Sequence, residues 1–510
     1  MSEVFRDVAA MLQQARHEQR SGSVAAAMLL LRRVLTVDPA SDEAAHYLGV
    51  HLSEASHHDS ALRWTGRSLV LRPSSALYWM NQSIALQKIK YFDNALDALQ
   101  RSLELDETSW KTFLNFGHVF RETKFRLEAA EAYEKTLCLN PGCAPAYEHL
   151  SFVYDHVLSV DRRIASLERA RVLEPGNVDV CFGLGLYFMM TGRFGEGWDL
   201  LEHRWGATHV LNNPNYSKPL LTSRPMFSGA ERSGRIFLWG EQGIGDEIMF
   251  ISTLSDFLGK YPLEVTVSVD GRLASLLARS FPSVRVIPRI SPLDEHGYDF
   301  HLPLGSLPRF MRRSERSFEN GRFPFLKAHA DLVTKIRNRL PADGRPVVGL
   351  SWHSLNGATR CVPLTDLVNA LQSCDLTLVN LQYGDHSREI GLASERLSRN
   401  VFDFDEIDCK EDIEGLAALL ECCDLVVSIA NTTVHLAGAL GRPTIGLLPY
   451  FPGWRWLKDG SHCLWYGSVR LLRQDALGHW GNVLHRIATV MPQPPTGFRA
   501  DSIIREFDRA

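Results

Sequence analysis

The chain has 510 residues, 22% of them charged and 45% hydrophobic, with a formal net charge of −4. That length exceeds one ordinary hydrophobic core, so two or three domains are expected, and the composition is that of a soluble globular protein. The slightly acidic balance excludes a nucleic acid or an anionic membrane held by bulk electrostatics. The opening stretch MSEVFRDVAAMLQQARHEQR is charged and amphipathic rather than a signal peptide. The longest apolar runs fall well short of a membrane span. The nine cysteines form no CxxC pair and no zinc-like spacing. They read as reduced, mostly buried small hydrophobes suited to the cytoplasm, and no metal is expected.

The first 205 residues carry an internal repeat. Pro39, Pro73, Pro141 and Pro175 keep a 34-residue period, with Glu107 in the skipped place. Small residues recur at the same period at Ala15, Gly49, Ser83, Gly117, Ser151 and Gly185, where two helices must approach closely. A second small series runs through Ala27, Ala61, Ala95, Ala129 and Gly197, with Arg163 as the exception. The period and phase resemble the tetratricopeptide repeat over about six repeats. Such repeats stack into a superhelix with a groove for an extended partner segment. Asn81 in MNQSIAL and Asn115 in FLNFGHVF, with Tyr47 and His149 at the equivalent flanking places, resemble a partial asparagine ladder of the O-linked N-acetylglucosamine transferases. The resemblance implies that these two amides grip the backbone of a protein acceptor. The plainer alternative is that they hydrate a polar groove face.

The last repeat runs into residues 206–234, rich in Asn, Pro and Ser, which read as the domain joint. Arg235 to Trp239 is a first strand, followed by the turn Gly240-Glu241-Gln242-Gly243-Ile244-Gly245-Asp246-Glu247 and a helix from about Asp246 through IMFISTLSDFLGKY. Glycines at 240, 243 and 245 let the backbone turn sharply and approach a ligand. Strand runs at Glu264–Val269 and Val284–Ile287 keep a βαβ rhythm. The stretch GEQGIGDEIMF resembles the first-lobe turn of bacterial heptosyltransferase-like glycosyltransferases, in particular their tetratricopeptide-linked members. That resemblance implies donor contacts at Gln242, Gly243 and Gly245 and places the base that deprotonates the acceptor hydroxyl at Asp246. Glu241 and Glu247 are neighbouring alternatives, and a helix cap is the structural reading of Asp246.

A second lobe restarts at Pro346–Trp352, followed by the loop 353–360, a helix at 365–374 and a strand at Leu376–Leu381. GLSW, a polar loop, a cation and then VPL resemble the second-lobe start of the same transferases. By that resemblance Ser354 and Asn356 line the donor, Arg360 neutralises a nucleotide diphosphate, and Gln382 faces the base. His353 departs from the family pattern. The acidic run Asp403 to Asp412 reads as a solvated loop. DLVVSIANTTVHLAGALGRPTIGLLP, Asp424 to Pro449, reads as a strand, a polar turn, a short helix stopped at Gly441, and a second strand. Asn431, Thr432 and Thr433 are good cap types, and the amides of a helix start make a seat for phosphate. The stretch resembles the nucleotide-diphosphate turn of the same family, which implies contacts from Asn431, Thr432, Thr433, Val434 and His435. Asn431 stands where the family usually has aspartate.

The tail YFPGWRWLKDGSHCLWYGSVRLLRQ, with Gly478-His479-Trp480, resembles the C-terminal WRW, WYP and RLFRQ signature of the tetratricopeptide-linked members. The expected fold class is an all-α tetratricopeptide superhelix at 1–205, a linker at 206–234, and an α/β type B glycosyltransferase. Its two Rossmann-like lobes lie at 235–340 on the acceptor side and 345–490 on the nucleotide-sugar side, and 491–510 form a tail. The resemblance implies an inverting, metal-independent transferase with a nucleotide-sugar co-substrate and no other cofactor. Its acceptor is a serine or threonine of a protein held by the repeats, flagellin by analogy with two-domain flagellin-modifying enzymes. A lipid-linked or polysaccharide acceptor and a catalytically inactive scaffold are the rival readings.

Overall fold

The computed structural model describes residues 2–153, 160–214, 216, 218–289, 295–319, 321, 324–354, 357–397, 401–491 and 500. The chain divides into two compact units, Met1–Val180 and Cys181–Ala510. The division falls inside the eleventh helix, upstream of the joint at 206–234 suggested by composition.

Among the described residues the first unit is helical: α1 Ser2–Arg20, α2 Val24–Val37, α3 Asp42–Glu54, α4 His58–Leu71, α5 Ala76–Lys88, α6 Phe92–Leu105, α7 Trp110–Glu122, α8 Arg126–Leu139, α9 Ala144–Val153 and α10 Val160–Leu173. From α3 onward each hairpin starts 34 residues after the one before, at Asp42, Ala76, Trp110 and Ala144. The small columns are where paired helices touch. A side chain at Gly49 would meet the Thr65 backbone nitrogen at 2.9 Å, and one at Gly117 would strike the Tyr133 ring. Ala27, Ala61, Ala95 and Ala129 are fully buried, and Arg163 is buried in the equivalent place. The core is a series of patches between successive helices, such as Leu31, Val34, Ala44 and Leu48, then Met80, Leu99 and Val119. Such a core makes each repeat depend on its neighbours alone.

The turns inside the hairpins share a left-handed residue. Gly22 holds it at φ 84°, and Ser56, Lys90 and Lys124 hold it at φ 63°, 65° and 66°. Ser41, Ser75 and Ser109 cap α3, α5 and α7 by accepting from Ala44, Tyr78 and Thr112 nitrogens.

The second unit opens with most of α11 Val178–Met190, then α12 Phe194–Leu201 and α13 Thr208–Leu211. A four-stranded parallel sheet follows, built from β1 Arg235–Trp239, β2 Glu264–Val269, β3 Arg285–Pro288 and β4 Phe300–Pro303 in the order β3-β2-β1-β4. Its helices are α14 Ile244–Ile251, α15 Leu254–Lys260, α16 Gly271–Ser280, α17 Leu307–Met311 and α18 Ala330–Arg337. The stretch 206–234 carries α13, and its Met226 bridges to His301 of β4. The single helix expected after the first turn is two. Ser252 Oγ donates to Met249 O at 2.6 Å and Thr253 Oγ1 to Phe250 O at 2.7 Å, and the break falls at these two residues.

The second sheet has six parallel strands: β5 Val347–Ser351, β6 Thr377–Asn380, β7 Val401–Phe402, β8 Leu425–Ile429, β9 Thr444–Leu448 and β10 Val469–Arg473. Their order is β10-β9-β8-β5-β6-β7. The helices are α19 Leu364–Ala370, α20 Ser387–Leu397, α21 Ile413–Glu421, α22 Thr432–Ala439 and α23 Gly481–Val490. β8 and β9 are buried throughout, as expected of strands covered on both faces. Chain order reverses beside β5 and β8, where open α/β sheets bind ligands at the carboxyl ends of their strands. α22 packs against α14, so the helix after each sheet's central turn meets its counterpart. The acidic run 403–412 is loop, ending where Asp412 caps α21. Among the described residues no helix is long and apolar enough to cross a membrane.

Candidate functional site

At the carboxyl edge of the second sheet a chain of polar side chains ties β8, β5 and β6 together. Ser428 Oγ donates to Asn431 Oδ1 at 3.1 Å, Asn431 Nδ2 donates to Ser351 Oγ at 2.8 Å, and Ser351 Oγ donates to Gln382 Oε1 at 3.0 Å. Gln382 Oε1 also accepts the backbone N–H groups of Trp352 and His353, at 2.9 and 2.8 Å. Gln382 therefore fixes the start of the 353–360 loop. Ser354 is buried, and its nitrogen donates to Cys361 Sγ at 3.4 Å, which closes the loop that carries Arg360. Asn356 lies outside the described residues.

Asn431 is the cap of α22. Its Oδ1 accepts from Thr433 N at 3.0 Å, so this amide is already used, and the expected open row of N–H groups is shorter by one. Thr433 and Val434 are buried, whereas Thr432 is partly exposed and faces the first lobe. A side chain at Gly245 would lie 3.6 Å from Thr432 Cα and 3.1 Å from His435 Cδ2. The glycine therefore serves close packing of α14 on α22. His435 is enclosed, with Nδ1 3.0 Å from Tyr466 Oη and its ring 4.9 Å from that of Trp456. Burial, aided by the charge of Arg455, lowers its imidazole to about 3, so it is neutral at physiological pH.

The charged centre pairs Asp246 with Arg455. Arg455 Nε donates to Asp246 Oδ1, and Nη2 donates to Gln242 Oε1 at 3.3 Å. The two side chains retain 24% and 20% of their exposure, Arg455 the larger, so both border an open face. Burial pulls the Arg455 guanidinium down, but Asp246 and Tyr216 more than offset it and leave it raised. Arg360 is half-buried, makes no ion pair with any described residue, and is lowered by burial and by the charge of Arg455. A guanidinium with no described acid beside it, within electrostatic reach of a second guanidinium, favours an anion.

Arg455 is presented by a tight loop. Gly453 and Leu457 both have positive φ, 82° and 59°. Arg473 fastens the loop by donating to the carbonyls of Trp456, Leu457, Asp459 and Gly460 at 2.6 to 3.2 Å. Trp454 is wedged between Trp198 and Trp465, at 5.7 and 6.4 Å between ring centroids.

The two neighbouring acids are engaged elsewhere. Glu241 is buried in a two-pronged ion pair with Arg204, both contacts at 3.0 Å. Glu247 is buried against Arg289 and accepts from Asp270 N at 2.9 Å. Burial pushes the Glu247 carboxyl up to about 7, against the pull of Arg289. Gly240 and Gly305 leave room for these carboxylates, since a side chain at either would overlap Glu247 or Glu241. Gly240 is thus a packing glycine, and Gly243 alone of the three turn glycines is exposed.

The structure brings Gln242, Gly245, Asp246, Thr432 and His435 together, with Arg360 in electrostatic reach through Arg455. Ser354, Gln382 and Asn431 support the edge behind them. In the first unit, Asn81 Nδ2 lies 3.1 Å from His46 Nε2, and Asn115 Nδ2 donates to Lys111 O at 2.9 Å. These amides are occupied within the repeat array. Arg455, Ser351 and Tyr466 are members that residue-by-residue reading left out, although the Trp-Arg-Trp triplet was legible. Among the described residues no group of three or more His, Cys, Asp or Glu is arranged to hold a metal ion.

The repeat geometry makes this a tetratricopeptide-repeat protein that also carries a parallel-sheet α/β unit. No protein-family model matches the chain. It is 26% identical over 498 residues to Protein FlbA of Caulobacter vibrioides, a similarity covering 93% of this chain and 82% of that protein. It is 27% identical over 121 residues to small glutamine-rich tetratricopeptide repeat-containing protein 2 of Mycosarcoma maydis, covering 22% of this chain and 34% of that protein. Among solved structures, MamA is 25% identical and covers 32% of this chain and 94% of its own, with a TM-score of 0.29.

Proposed function

We propose that the α/β unit is a type B glycosyltransferase that moves a sugar from a nucleotide-sugar to a hydroxyl of a protein captured by the repeats. The observation that carries this reading is Arg360, a half-buried guanidinium without a described acid partner, within electrostatic reach of Arg455. A departing nucleoside diphosphate gains negative charge as the anomeric bond breaks, and fixed cations and helix amides stabilise that charge. Asp246 lies one residue from the Gly245–Thr432 contact, on the side of the first sheet, where an acceptor hydroxyl would approach. As the acceptor oxygen bonds to the anomeric carbon, its proton passes to Asp246 and the bonding pair to the old oxygen leaves with the diphosphate. Attack from the face opposite the leaving group inverts the anomeric centre. The acceptor class, a serine or threonine and flagellin in particular, follows from the two-domain resemblance alone.

The test is thermal melting of the full chain with each common nucleoside diphosphate. A saturating ligand at a hundredfold excess over its Kd stabilises the folded state by about 2.7 kcal/mol, and Arg360→Ala is expected to abolish most of the shift. An unshifted melting curve with every nucleotide would instead favour a scaffold without catalysis. Intact-mass measurement of co-expressed proteins then reports whether a sugar is added to a polypeptide.

A further inference from the structure

We propose that the Asp246–Arg455 ion pair is a donor-sensitive gate, in which an arriving diphosphate draws Arg455 away and frees Asp246 to take the acceptor's proton. This rests on the glycosyltransferase reading of the same site and adds an order of events to it.

Three observations carry it. Arg455 spends its Nε on Asp246, while the rest of the guanidinium holds neutral partners, Gln242 through Nη2 at 3.3 Å and the Tyr216 hydroxyl. The same guanidinium repels Arg360, and an anion lying between the two would relieve that repulsion and attract both. The backbone that carries Arg455 is fastened by Arg473, so only the side chain needs to turn. Asp246 and the anion are therefore rivals for one cation. While the site is empty, Oδ1 of Asp246 is covered by the guanidinium. Once the anion holds Arg455, that oxygen is open to a hydroxyl. Such an order would disfavour deprotonation of the acceptor before the donor is seated.

Titration calorimetry of the full-length protein with inorganic pyrophosphate tests the rivalry directly. Removing the competing carboxylate by Asp246→Asn is expected to tighten pyrophosphate binding by about tenfold, the scale of one charge-assisted hydrogen bond. In an Arg455→Ala background the same Asp246→Asn change is expected to leave the affinity unaltered. An equal tightening in both backgrounds means that Asp246 acts through its charge at a distance, and it overturns the gate. Unaltered affinity when Asp246→Asn is made with Arg455 intact overturns it too. Absence of pyrophosphate binding to the unsubstituted protein would remove the glycosyltransferase reading itself, and the gate with it. Melting curves of each variant establish that it is folded, and Arg455→Lys, which keeps the charge but loses the fork, supplies an intermediate case.

Discussion

Asn431 donates from Nδ2 to Ser351 Oγ at 2.8 Å while its Oδ1 accepts from Thr433 N, so one amide caps α22 and ties β8 to β5. An aspartate could keep the cap, but it has no hydrogen to give Ser351. Asn431→Asp is expected to cost about 1–2 kcal/mol in urea unfolding. It should also weaken pyrophosphate binding, because it adds a negative charge at the helix start behind the anion seat. Unchanged stability together with tighter anion binding would mean that the amide is incidental.

The left-handed turns of the repeat array make a second prediction. Ser56, Lys90 and Lys124 hold a conformation that Gly22 holds without strain in the equivalent turn. Lys90→Gly and Lys124→Gly are each expected to stabilise the array by about 0.5–1 kcal/mol. Equilibrium unfolding followed by far-UV circular dichroism would measure the gain, and a loss of stability would count against the assigned turn geometry.

Arg204 and Glu241 form a buried pair, with Ser306 Oγ accepting from Arg204 at 2.8 Å. Arg204 also reaches Glu202 at 2.9 Å, so losing Glu241 strips the buried guanidinium of its two-pronged partner and leaves it only partly compensated. Glu241→Gln is therefore expected to destabilise the α/β unit by about 3 kcal/mol, read as a lower midpoint in denaturant. A shift of a few tenths would place Arg204 in contact with water.

His118 and His149 lie edge to face, 4.8 Å apart, beside Arg121. Burial first and Arg121 second hold His118 at about 4, and burial with both neighbours holds His149 at about 3. Because both lie below the ordinary imidazole value of 6.5, the unfolded chain binds more protons as the solution is acidified. Stability is full above that value and falls toward pH 4, by about 1.4 kcal/mol per pH unit for each histidine. The Nε2 atom of His118 is buried with no hydrogen-bond partner among the described residues. His118→Phe should therefore keep the ring packing and make the acid limb of a stability-against-pH profile shallower. An unaltered limb would show that this imidazole does not contribute.

The repeat phase and most of the strands were legible in the chain. β1, β2, β8 and β9 have the bounds read from the chain, and β8 and β9, buried along their whole length, are nearly unbroken apolar strings. The break in the helix after Gly243 was not legible, since the Ser252 and Thr253 hydroxyls choose between solvent and a local carbonyl only once their surroundings exist. Gly240 and Gly245 read as ligand-approach glycines. Folded, Gly240 accommodates a buried carboxylate and Gly245 the close approach of another helix.

Period, polarity and glycine placement are local properties, and they determined by themselves that this protein is a helical repeat followed by parallel βαβ units. Partners for charges are not local. Asp246 and Arg455 are 209 residues apart in the chain, and Ser351 and Asn431 are 80 apart. Only the folded chain decides which carboxylate is neutralised inside, as Glu241 is by Arg204, and which stays at an open face. A charge's partner is set by where two distant backbone segments come to rest, and no short window of sequence contains both.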